Sequence, residues 1–345
     1  MNIKHMIDDL PLHLTNVPDV VQDEPRELEL EVIPVLPRPG DAVQDETEDV
    51  SPVDKSPGGR HRDVHDAKGC WSGGFEEATG QPSGNTVTMP VHMDSEVYNM
   101  NHQSRGRAVI FNHENFNPNL DLGRRNGTEK DRQNLKQSLK ALGFEVSAHD
   151  DLTYQQVVKE IEALTKEDHS TRDCLIIAVL SHGDTNMMYA KDYYYKPDML
   201  WQSFTAEKVP TLAGKPKIFL IQACQGNMLD EGTKLVRVSN RTEVDSSPQS
   251  YRIPNHADFL IVYSTFPGHY AWRNTTNGSW FIQAVCQVLQ KYSTKKDLLS
   301  MMTIVSREVA LHFESNTPSL PHMHQKKQIP FVTSTLIRDV YMVPK

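Results

Sequence analysis

Residues 174–181 read CLIIAVLS and residues 217–223 read KIFLIQA, and each stretch is a nearly continuous apolar run of strand length. Such runs are typical of strands that are buried on both faces, as in a parallel sheet covered by helices. Four further short runs share this character and lie at 107–112, 144–149, 258–264 and 330–335. The sequence therefore predicts one six-stranded sheet.

The segments between these runs carry apolar residues at helical spacing, which predicts helices with one face packed against the sheet. The four apolar stripes are Leu135, Leu139 and Leu142; Val157, Ile161 and Leu164; Phe281, Val285 and Leu289; and Met302, Val305, Val309 and Phe313. Strands that alternate with helices indicate the α/β class, here a mostly parallel sheet flanked by helices on both faces. Residues 227–252 lack this period and are rich in Asp, Ser, Asn and Thr, so we expect a long surface loop there.

The first 94 residues differ in composition from the rest of the chain. They carry 19 acidic and 7 basic side chains and ten of the 21 prolines, whereas residues 95–345 carry 26 acidic and 29 basic side chains. An acidic, proline-rich segment without helical period is typical of disorder, so we expect a disordered extension over residues 1–94. A small helical adaptor domain is the alternative, although Pro34, Pro37 and Pro39 interrupt its best candidate helix.

The overall composition indicates a folded protein of a reducing compartment. The chain has 345 residues, of which 38% are hydrophobic, and its four cysteines form no C-x-x-C pair. This cysteine usage argues against a disulfide framework or a cysteine-rich zinc site. Acidic residues and prolines interrupt the N-terminus before a secretory signal forms, and no apolar run reaches the roughly 20 residues of a membrane span. We therefore expect a cytoplasmic protein with neither membrane nor nucleic-acid partners and without a cofactor.

Two of the strand runs end at residues that can carry chemistry. CLIIAVLS leads into His182 and Gly183, and KIFLIQA leads into Cys224. Because ligands bind at the carboxyl ends of strands in an open α/β sheet, the thiol and the imidazole could act there as nucleophile and base. The amides near Gly183 and Cys224 could stabilise an oxyanion. On placement alone, an inert packing cysteine and a histidine in a turn remain the more common alternatives.

The residues around Cys224 make the pattern more specific. Residues 222–226 read QACQG, which fits the cysteine signature of caspases, and His182 lies upstream of it as in that family. Further matching motifs occur in the family's order: Arg125-Asn126-Gly127-Thr128 with Asp131, Ser181-His182-Gly183, Trp272-Arg273-Asn274, Gly278-Ser279-Trp280-Phe281 and Lys326-Lys327-Gln328-Ile329-Pro330. From Tyr98 to Tyr341 the chain resembles a caspase, closest to the executioner type, in which a thiolate cleaves peptide bonds after aspartate.

The resemblance implies catalytic roles for three residues. Cys224 matches the nucleophile, and His182 matches the histidine that protonates the leaving amine. The amides of Gly183 and Cys224 match the oxyanion hole. A thiol needs such a partner because it is mostly protonated at neutral pH.

The resemblance also implies a pocket for the aspartate at substrate position P1, formed by Arg125, Gln222 and Arg273. Two guanidinium forks suit one carboxylate, and a neutral P1 residue would leave both buried cations unpaired. The alternative is that both arginines lie on the surface without a specific role, as most arginines do.

Three further residues resemble the pockets for substrate positions P2 and P4. Trp272 and Trp280 match aromatic walls, and Asn274 matches the polar end near P4. Either tryptophan could equally belong to the core. Residues 316–320 read NTPSL where executioner enzymes usually place further aromatic residues, so the resemblance does not extend to a DEVD-like preference.

Caspases are made as zymogens and are cut after aspartates. Asp245, in TEVD before Ser246, is the candidate in the linker, and Asp66 and Asp94 are alternatives in the extension. The expected pieces are a prodomain at 1–94, a large catalytic piece at 95–245 and a small catalytic piece at 246–345.

The resemblance further implies partners. These are protein substrates with P1 aspartate, an upstream activating caspase, and a second copy that forms a dimer of processed large and small pieces. A cut after Asp66 would expose Ala67, the kind of N-terminus that inhibitor-of-apoptosis proteins capture in some family members. The alternative functions are a catalytically silent homologue that acts as a dimerisation partner, and an endopeptidase of similar fold that cleaves after basic residues.

Overall fold

A computed structural model describes residues 90–232 and 254–345. Its strands are β1 Ser104–Asn112, β2 Glu145–Asp150, β3 Arg172–Leu180, β4 Gly183–Asp184, β5 Met187–Tyr189, β6 Tyr194–Tyr195, β7 Lys217–Gln222, β8 Phe259–Tyr263, β9 Arg273–Asn274, β10 Gly278–Ser279 and β11 Phe331–Ser334. Its α-helices are α1 Thr128–Ala141, α2 Tyr154–Lys166, α3 Trp280–Tyr292 and α4 Leu298–His312. Short 3₁₀ helices lie at Pro118–Leu120, Pro197–Leu200, Gln202–Phe204, Pro210–Leu212 and Pro321–Met323.

The predicted six-stranded sheet is confirmed, in the order β11-β8-β7-β3-β1-β2. β11 runs antiparallel to β8, and every other pair of neighbours is parallel. β3 and β7 are neighbours at the centre, and their last paired residues are Leu180 and Gln222. His182 and Cys224 each follow by two residues, so the parallel register delivers both to the same edge of the sheet.

Helices cover both faces of the sheet, as predicted. One face presents Ala108 and Ile110 to the apolar stripes of α1, α3 and α4. The opposite face presents Val109 and Phe111 to α2 and to buried residues of the segment 188–212. Alternate residues of β1 thus enter two different cores, which explains why the strand runs are continuously apolar.

Phe313 does not continue the helical stripe to which the sequence pattern assigned it. α4 ends at His312, and Phe313 has extended backbone angles, with φ −119° and ψ 138°. Its ring stacks on that of Trp280, with 5.5 Å between centroids. A periodic pattern could not reveal this, because Phe313 keeps the helical spacing in the sequence although the helix ends one residue before it.

Some sequence expectations fall on residues that the structure does not describe. The disordered extension falls outside it up to residue 89, and the surface loop falls outside it over residues 233–253. Residues 227–232 lie before that gap, and Asp230 forms an isolated antiparallel bridge with Lys327. Within 90–232 and 254–345, no helix is long and apolar enough to cross a membrane.

A buried carboxylate connects the beginning of the sheet to the last residues of the chain. Asp173 is fully buried and lies 2.9 Å from Nη1 of Arg105, which is only 2% exposed. The same carboxylate accepts a hydrogen bond from the backbone amide of His102 at 2.8 Å and lies 2.6 Å from Nζ of Lys345. Arg105 also donates to the carbonyl of Val343. Removing the carboxylate would leave a buried guanidinium without its counter-charge.

We predict that Asp173→Asn lowers the free energy of unfolding by about 3–5 kcal/mol, because it strands the buried charge of Arg105. Urea denaturation of the uncut chain measures this. Glu145→Gln is the control, since it removes a carboxylate that is 64% exposed in its pair with Arg107. That surface pair should change the stability by no more than about 1 kcal/mol. Equal effects of the two substitutions would contradict the assignment.

Candidate active site

The backbones that carry His182 and Cys224 pack directly against each other at the sheet edge. The amide of Ser181 donates to the carbonyl of Gln222 at 3.0 Å. At Gly183, a Cβ atom would lie 2.5 Å from the carbonyl oxygen of Cys224. Any side chain at position 183 would therefore push the two strand ends apart. The structure thus brings together the histidine, the glycine and the cysteine that the sequence singled out.

The imidazole of His182 is oriented by a backbone carbonyl. Its Nε2 lies 2.7 Å from the oxygen of Gly123. Because a carbonyl can only accept, Nε2 must carry the proton, which leaves Nδ1 of a neutral ring as an acceptor. The ring of Phe116 lies against the imidazole, with 5.0 Å between centroids. The tautomer left on His182 is the one that can take a proton through Nδ1.

The thiol of Cys224 contacts the backbone of Ala271. Its Sγ accepts from the amide of Ala271 at 3.4 Å. Burial raises the pKa of this thiol, while the Ala271 amide and the positive charges of Arg125 and Arg273 act in the opposite direction. Burial also lowers the pKa of His182 to about 4, and the two arginines add to that decrease. The resting site therefore holds a neutral thiol and a neutral imidazole near pH 7.

A cavity of about 250 Å³ opens beside the thiol. Its walls include Cys224 and Gln225 from the end of β7, Asp184 and Met187 from the β4–β5 hairpin, and Gly268. Cys224 thus borders a cavity, whereas Cys174 is fully buried inside β3. Of these two cysteines, Cys224 is the one whose surroundings suit a nucleophile.

Arg125 is a buried guanidinium held by neutral oxygens. It is 1% exposed, and its Nη1 donates to the carbonyl of His113 and to Oγ1 of Thr128, both at 2.8 Å. Its Nε is buried and has no hydrogen-bond partner in the part of the chain that the structure describes. Burial and, after it, the charge of Arg273 lower the pKa of Arg125 to about 9. The alternative of a surface arginine is therefore wrong for Arg125.

Arg273 and Gln222, the other two residues predicted for a P1 pocket, come from two other elements. Nε of Arg273 donates to the carbonyl of Asn126 at 2.9 Å, which places this side chain next to the segment that carries Arg125. Burial lowers the pKa of Arg273 as well. Gln222 is 1% exposed at the end of β7, and its Oε1 has no hydrogen-bond partner among the described residues. Three side chains from distant parts of the sequence thus share one region beside Cys224.

The residues predicted for the P2 and P4 pockets form an aromatic stack and a turn. The rings of Trp272 and Trp280 stack with 5.7 Å between centroids, and Trp280 is 7% exposed, so it belongs largely to the core. The amide of Trp272 donates to Oε1 of Gln328 at 2.6 Å. Asn274 is exposed, and its Oδ1 accepts from the amides of Thr276 and Asn277 in the turn of the hairpin. Only its amide nitrogen is left to contact a ligand.

Sequence patterns predicted neither the contacts of Gly123 and Phe116 with the imidazole nor the position of His113 next to the ring of Phe116. Gly123 acts through its carbonyl oxygen, which every residue possesses, so its identity gave no signal. Phe116 lies in a loop outside any motif, so nothing in the sequence indicated that its ring contacts His182. His113 is fully buried, both of its ring nitrogens lack hydrogen-bond partners among the described residues, and its ring lies 6.3 Å from that of Phe116. None of these three contacts follows from a local pattern.

The candidate processing sites are only partly described. Asp66 and Asp245 lie outside the described residues. Asp94 has a side chain that is 71% exposed, in a turn in which the amide of Ser95 donates to the carbonyl of His92 at 3.1 Å. Nη2 of Arg338 donates to the carbonyl of Met93 at 2.9 Å. The backbone before Asp94 is therefore attached to a residue near the C-terminus.

Comparison with known proteins identifies the family. The family model described as the caspase domain matches residues 105–341. Caspase-1 of Spodoptera frugiperda is 50% identical over 284 residues, which cover 80% of this chain and 93% of that protein. Caspase drICE of Drosophila melanogaster is 47% identical over 273 residues, which cover 79% of this chain and 80% of that protein.

A solved structure agrees with these relatives. The crystal structure of caspase-1 from Spodoptera frugiperda matches with a TM-score of 0.70 at 50% identity and covers 75% of this chain and 100% of that chain. The chain belongs to the caspase family, which confirms the resemblance found in its sequence. It is a cysteine-type endopeptidase, and therefore a hydrolase of peptide bonds.

We predict that alkylation of Cys224 by iodoacetamide has a pH midpoint above the ordinary thiol value of about 9, because burial raises the pKa of this thiol. Arg273→Ala should move the midpoint further upward, since the arginine stabilises the thiolate. Arg124→Ala removes a surface arginine and should leave the midpoint unchanged. Mass spectrometry of the Cys224 peptide measures the rate. A midpoint below pH 7 would show that the resting thiol is already ionised.

Proposed function

We propose that this protein is an executioner-type caspase of apoptosis that hydrolyses peptide bonds after aspartate. It acts in the cytoplasm, is made as a zymogen and is activated by cleavage of the linker between its two catalytic pieces. Its substrates are proteins that present an aspartate at P1.

The observation that carries this proposal is the pair of arginines beside Cys224. Within residues 90–232 and 254–345, neither Arg125 nor Arg273 has a carboxylate within ion-pair distance. Leaving two guanidinium groups close together and partly desolvated is unfavourable unless a ligand supplies negative charge. The carboxylate of a P1 aspartate fits this need, because each guanidinium can offer it two parallel N–H groups.

The geometry supports a two-step hydrolysis. When the P1 carboxylate is bound, the thiol of Cys224 transfers its proton to Nδ1 of His182, and the sulfur attacks the scissile carbonyl carbon. The amides of Gly183 and Cys224 stabilise the oxyanion. His182 then donates the proton to the leaving amine, and a water molecule hydrolyses the thioester, which restores the thiol and releases the new carboxylate. The carbonyl of Gly123 stabilises the imidazolium that forms between these transfers.

The remaining substrate contacts come from the aromatic stack. Trp272, which is only half-buried, is the better candidate for a pocket wall than Trp280, because Trp280 is enclosed between Trp272 and Phe313. Asn274 can offer its amide nitrogen to a polar group near P4. Substrate positions beyond P1 thus meet one aromatic surface and one amide donor.

Processing and assembly follow the family pattern in this proposal. A cut after Asp245 separates the large piece from a small piece, 246–345, and the residues that precede the cut in the extension act as the prodomain. An upstream caspase makes the first cut, and two processed copies form the dimer. In the extension, the backbone contacts of Arg338 before Asp94 favour a cut at Asp66, because a protease must draw the flanking backbone into its own cleft. Inhibitor-of-apoptosis proteins would then meet an N-terminal Ala67.

We predict that the purified processed enzyme cleaves peptides with P1 Asp and leaves matched P1 Asn and P1 Arg peptides intact. Cys224→Ala should abolish cleavage while the chain still folds. Arg273→Ala should lower kcat/KM on the P1 Asp peptide about a hundredfold or more, because the partner of a buried charge is lost. Arg124→Ala is the matched control. Arg124 is the neighbour of Arg125 in the chain, but its side chain is 63% exposed in its pair with Glu114.

Three results would contradict the proposed function in different ways. An inactive wild-type enzyme would support the silent homologue, and preferential cleavage after P1 Arg would support the endopeptidase of basic specificity. Aspartate-directed cleavage that persists in Cys224→Ala would remove this thiol from its role.

We predict that intact-mass measurement of the processed enzyme shows a large piece that begins at Ala67 and ends at Asp245. Asp245→Ala should block the separation of the two pieces, and Asp66→Ala should retain the extension. Asp94→Ala should leave the termini unchanged, because the backbone on either side of this residue is held by Arg338 and Asp339. A large piece that begins at Ser95 would contradict this choice between the two aspartates.

A further inference from the structure

A buried carboxylate from the large piece binds the hairpin that carries Arg273. Asp131 lies in the first turn of α1 and is 1% exposed. Its Oδ1 accepts from the backbone amide of Ser279 at 2.8 Å, and its Oδ2 accepts from the hydroxyl of Ser279 at 2.6 Å. Both oxygens of one carboxylate are thus bonded to a single residue that lies 148 positions away in the sequence.

The hairpin is shaped to fit around this carboxylate. Gly278 has a φ of +92°, a conformation that other residues rarely adopt. A Cβ atom at this position would lie 2.3 Å from Oδ1 of Asp131, so only glycine leaves room for the hydrogen bonds to Ser279. Ser279 precedes α3, and its own side chain makes no capping hydrogen bond to that helix. The hydroxyl is therefore committed to Asp131.

The register of the hairpin transmits this contact to the substrate pocket. β9 and β10 are antiparallel, and Ser279 pairs directly with Arg273. A residue fixed on one strand of so short a hairpin fixes the residue opposite it. The second attachment is the hydrogen bond from Nε of Arg273 to the carbonyl of Asn126. Both attachments lead to one segment of the large piece, residues 125–131, which also carries Arg125.

Charge favours the same arrangement. Burial raises the pKa of Asp131, and its hydrogen bonds to Ser279 and the charges of Arg125 and Arg273 oppose this increase. In turn, the carboxylate stabilises both guanidinium groups. Asp131 thus contributes negative charge to the pocket, yet both of its oxygens are occupied by Ser279. The guanidinium groups remain available for a ligand.

We propose that Asp131 is a positioning residue of the P1 pocket, which holds the hairpin through Ser279 and thereby sets the place of the Arg273 guanidinium relative to Arg125. The inference rests on the proposed function of Arg273. Asp131 itself does not contact the substrate. Its action is to keep two cations that come from different pieces of the processed chain in register for one carboxylate.

The test compares Asp131→Asn with the wild-type enzyme in two reactions, the cleavage of a P1 Asp peptide and the alkylation of Cys224 by iodoacetamide. The asparagine side chain has the size of the aspartate. Its NH₂ group, however, faces one of the two hydrogen-bond donors of Ser279, so one of the two hydrogen bonds is lost. We expect kcat/KM on the peptide to fall roughly 10- to 100-fold, mainly through KM, because a misplaced guanidinium binds the carboxylate poorly. The alkylation rate of Cys224 should stay within about twofold, because both guanidinium charges remain in the variant.

Two further variants separate positioning from general stability. Ser279→Ala keeps the carboxylate and the backbone hydrogen bond, so it should fold even where Asp131→Asn does not, and its KM should rise by a few-fold. The double variant with Asp131→Asn and Ser279→Ala should have a KM close to that of Asp131→Asn alone, since both substitutions break the same contact. Glu129→Gln, in the same turn of α1 at a side chain that is 42% exposed in its pair with Arg132, is the control and should leave KM unchanged.

Unchanged KM in both Asp131→Asn and Ser279→Ala would overturn the inference, as would an equal loss of peptide cleavage and of thiol alkylation. The activity of Arg273→Ala distinguishes a failure of the positioning role of Asp131 from a failure of the proposed function. If Arg273→Ala is impaired while the Asp131 and Ser279 variants are not, only the positioning role is wrong. If Arg273→Ala itself cleaves P1 Asp peptides normally, the pocket assignment is wrong.

Discussion

Two guanidinium groups of like charge stand close together beside the strand ends, and the structure around them serves to hold them there. Arg125 is bound by a backbone carbonyl and a hydroxyl, and Arg273 by another carbonyl. Asp131 supplies negative charge without occupying either group, because its oxygens are bonded to Ser279. Such a pair of cations favours an acidic ligand, because a carboxylate offsets the cost of holding two like charges close together and partly desolvated.

The catalytic pair is organised differently, by backbone rather than by charge. Gly123 fixes the protonated nitrogen of His182 through its carbonyl, and Ala271 places its amide on the sulfur of Cys224. Because burial disfavours the charged forms of both groups, the resting site stores no ion pair. The reactive thiolate is thus expected to arise together with substrate binding.

Much of the fold could be predicted, and the reasons are local. All six predicted runs are strands, and the central strands β3 and β7 are apolar nearly throughout because both of their faces are buried. Phe313 was assigned wrongly, since a periodic pattern cannot tell that a helix ends one residue earlier. Of the site, Arg125 could be read only through its motif, since nothing in its neighbours shows that a guanidinium is buried. Asp131 belonged to a motif, but its contact with Ser279 spans 148 positions.

The sequence by itself determined the class of the fold, the family and the residue types of the site, because apolar periods and contiguous motifs are properties of neighbouring residues. Only the tertiary structure decided which oxygen orients His182, which cations have no carboxylate at ion-pair distance among the described residues, and what holds the hairpin of Arg273 in place. These contacts join segments far apart in the chain, and several act through backbone atoms that every residue has. Their energies depend on burial and distance, which exist only once the chain has folded.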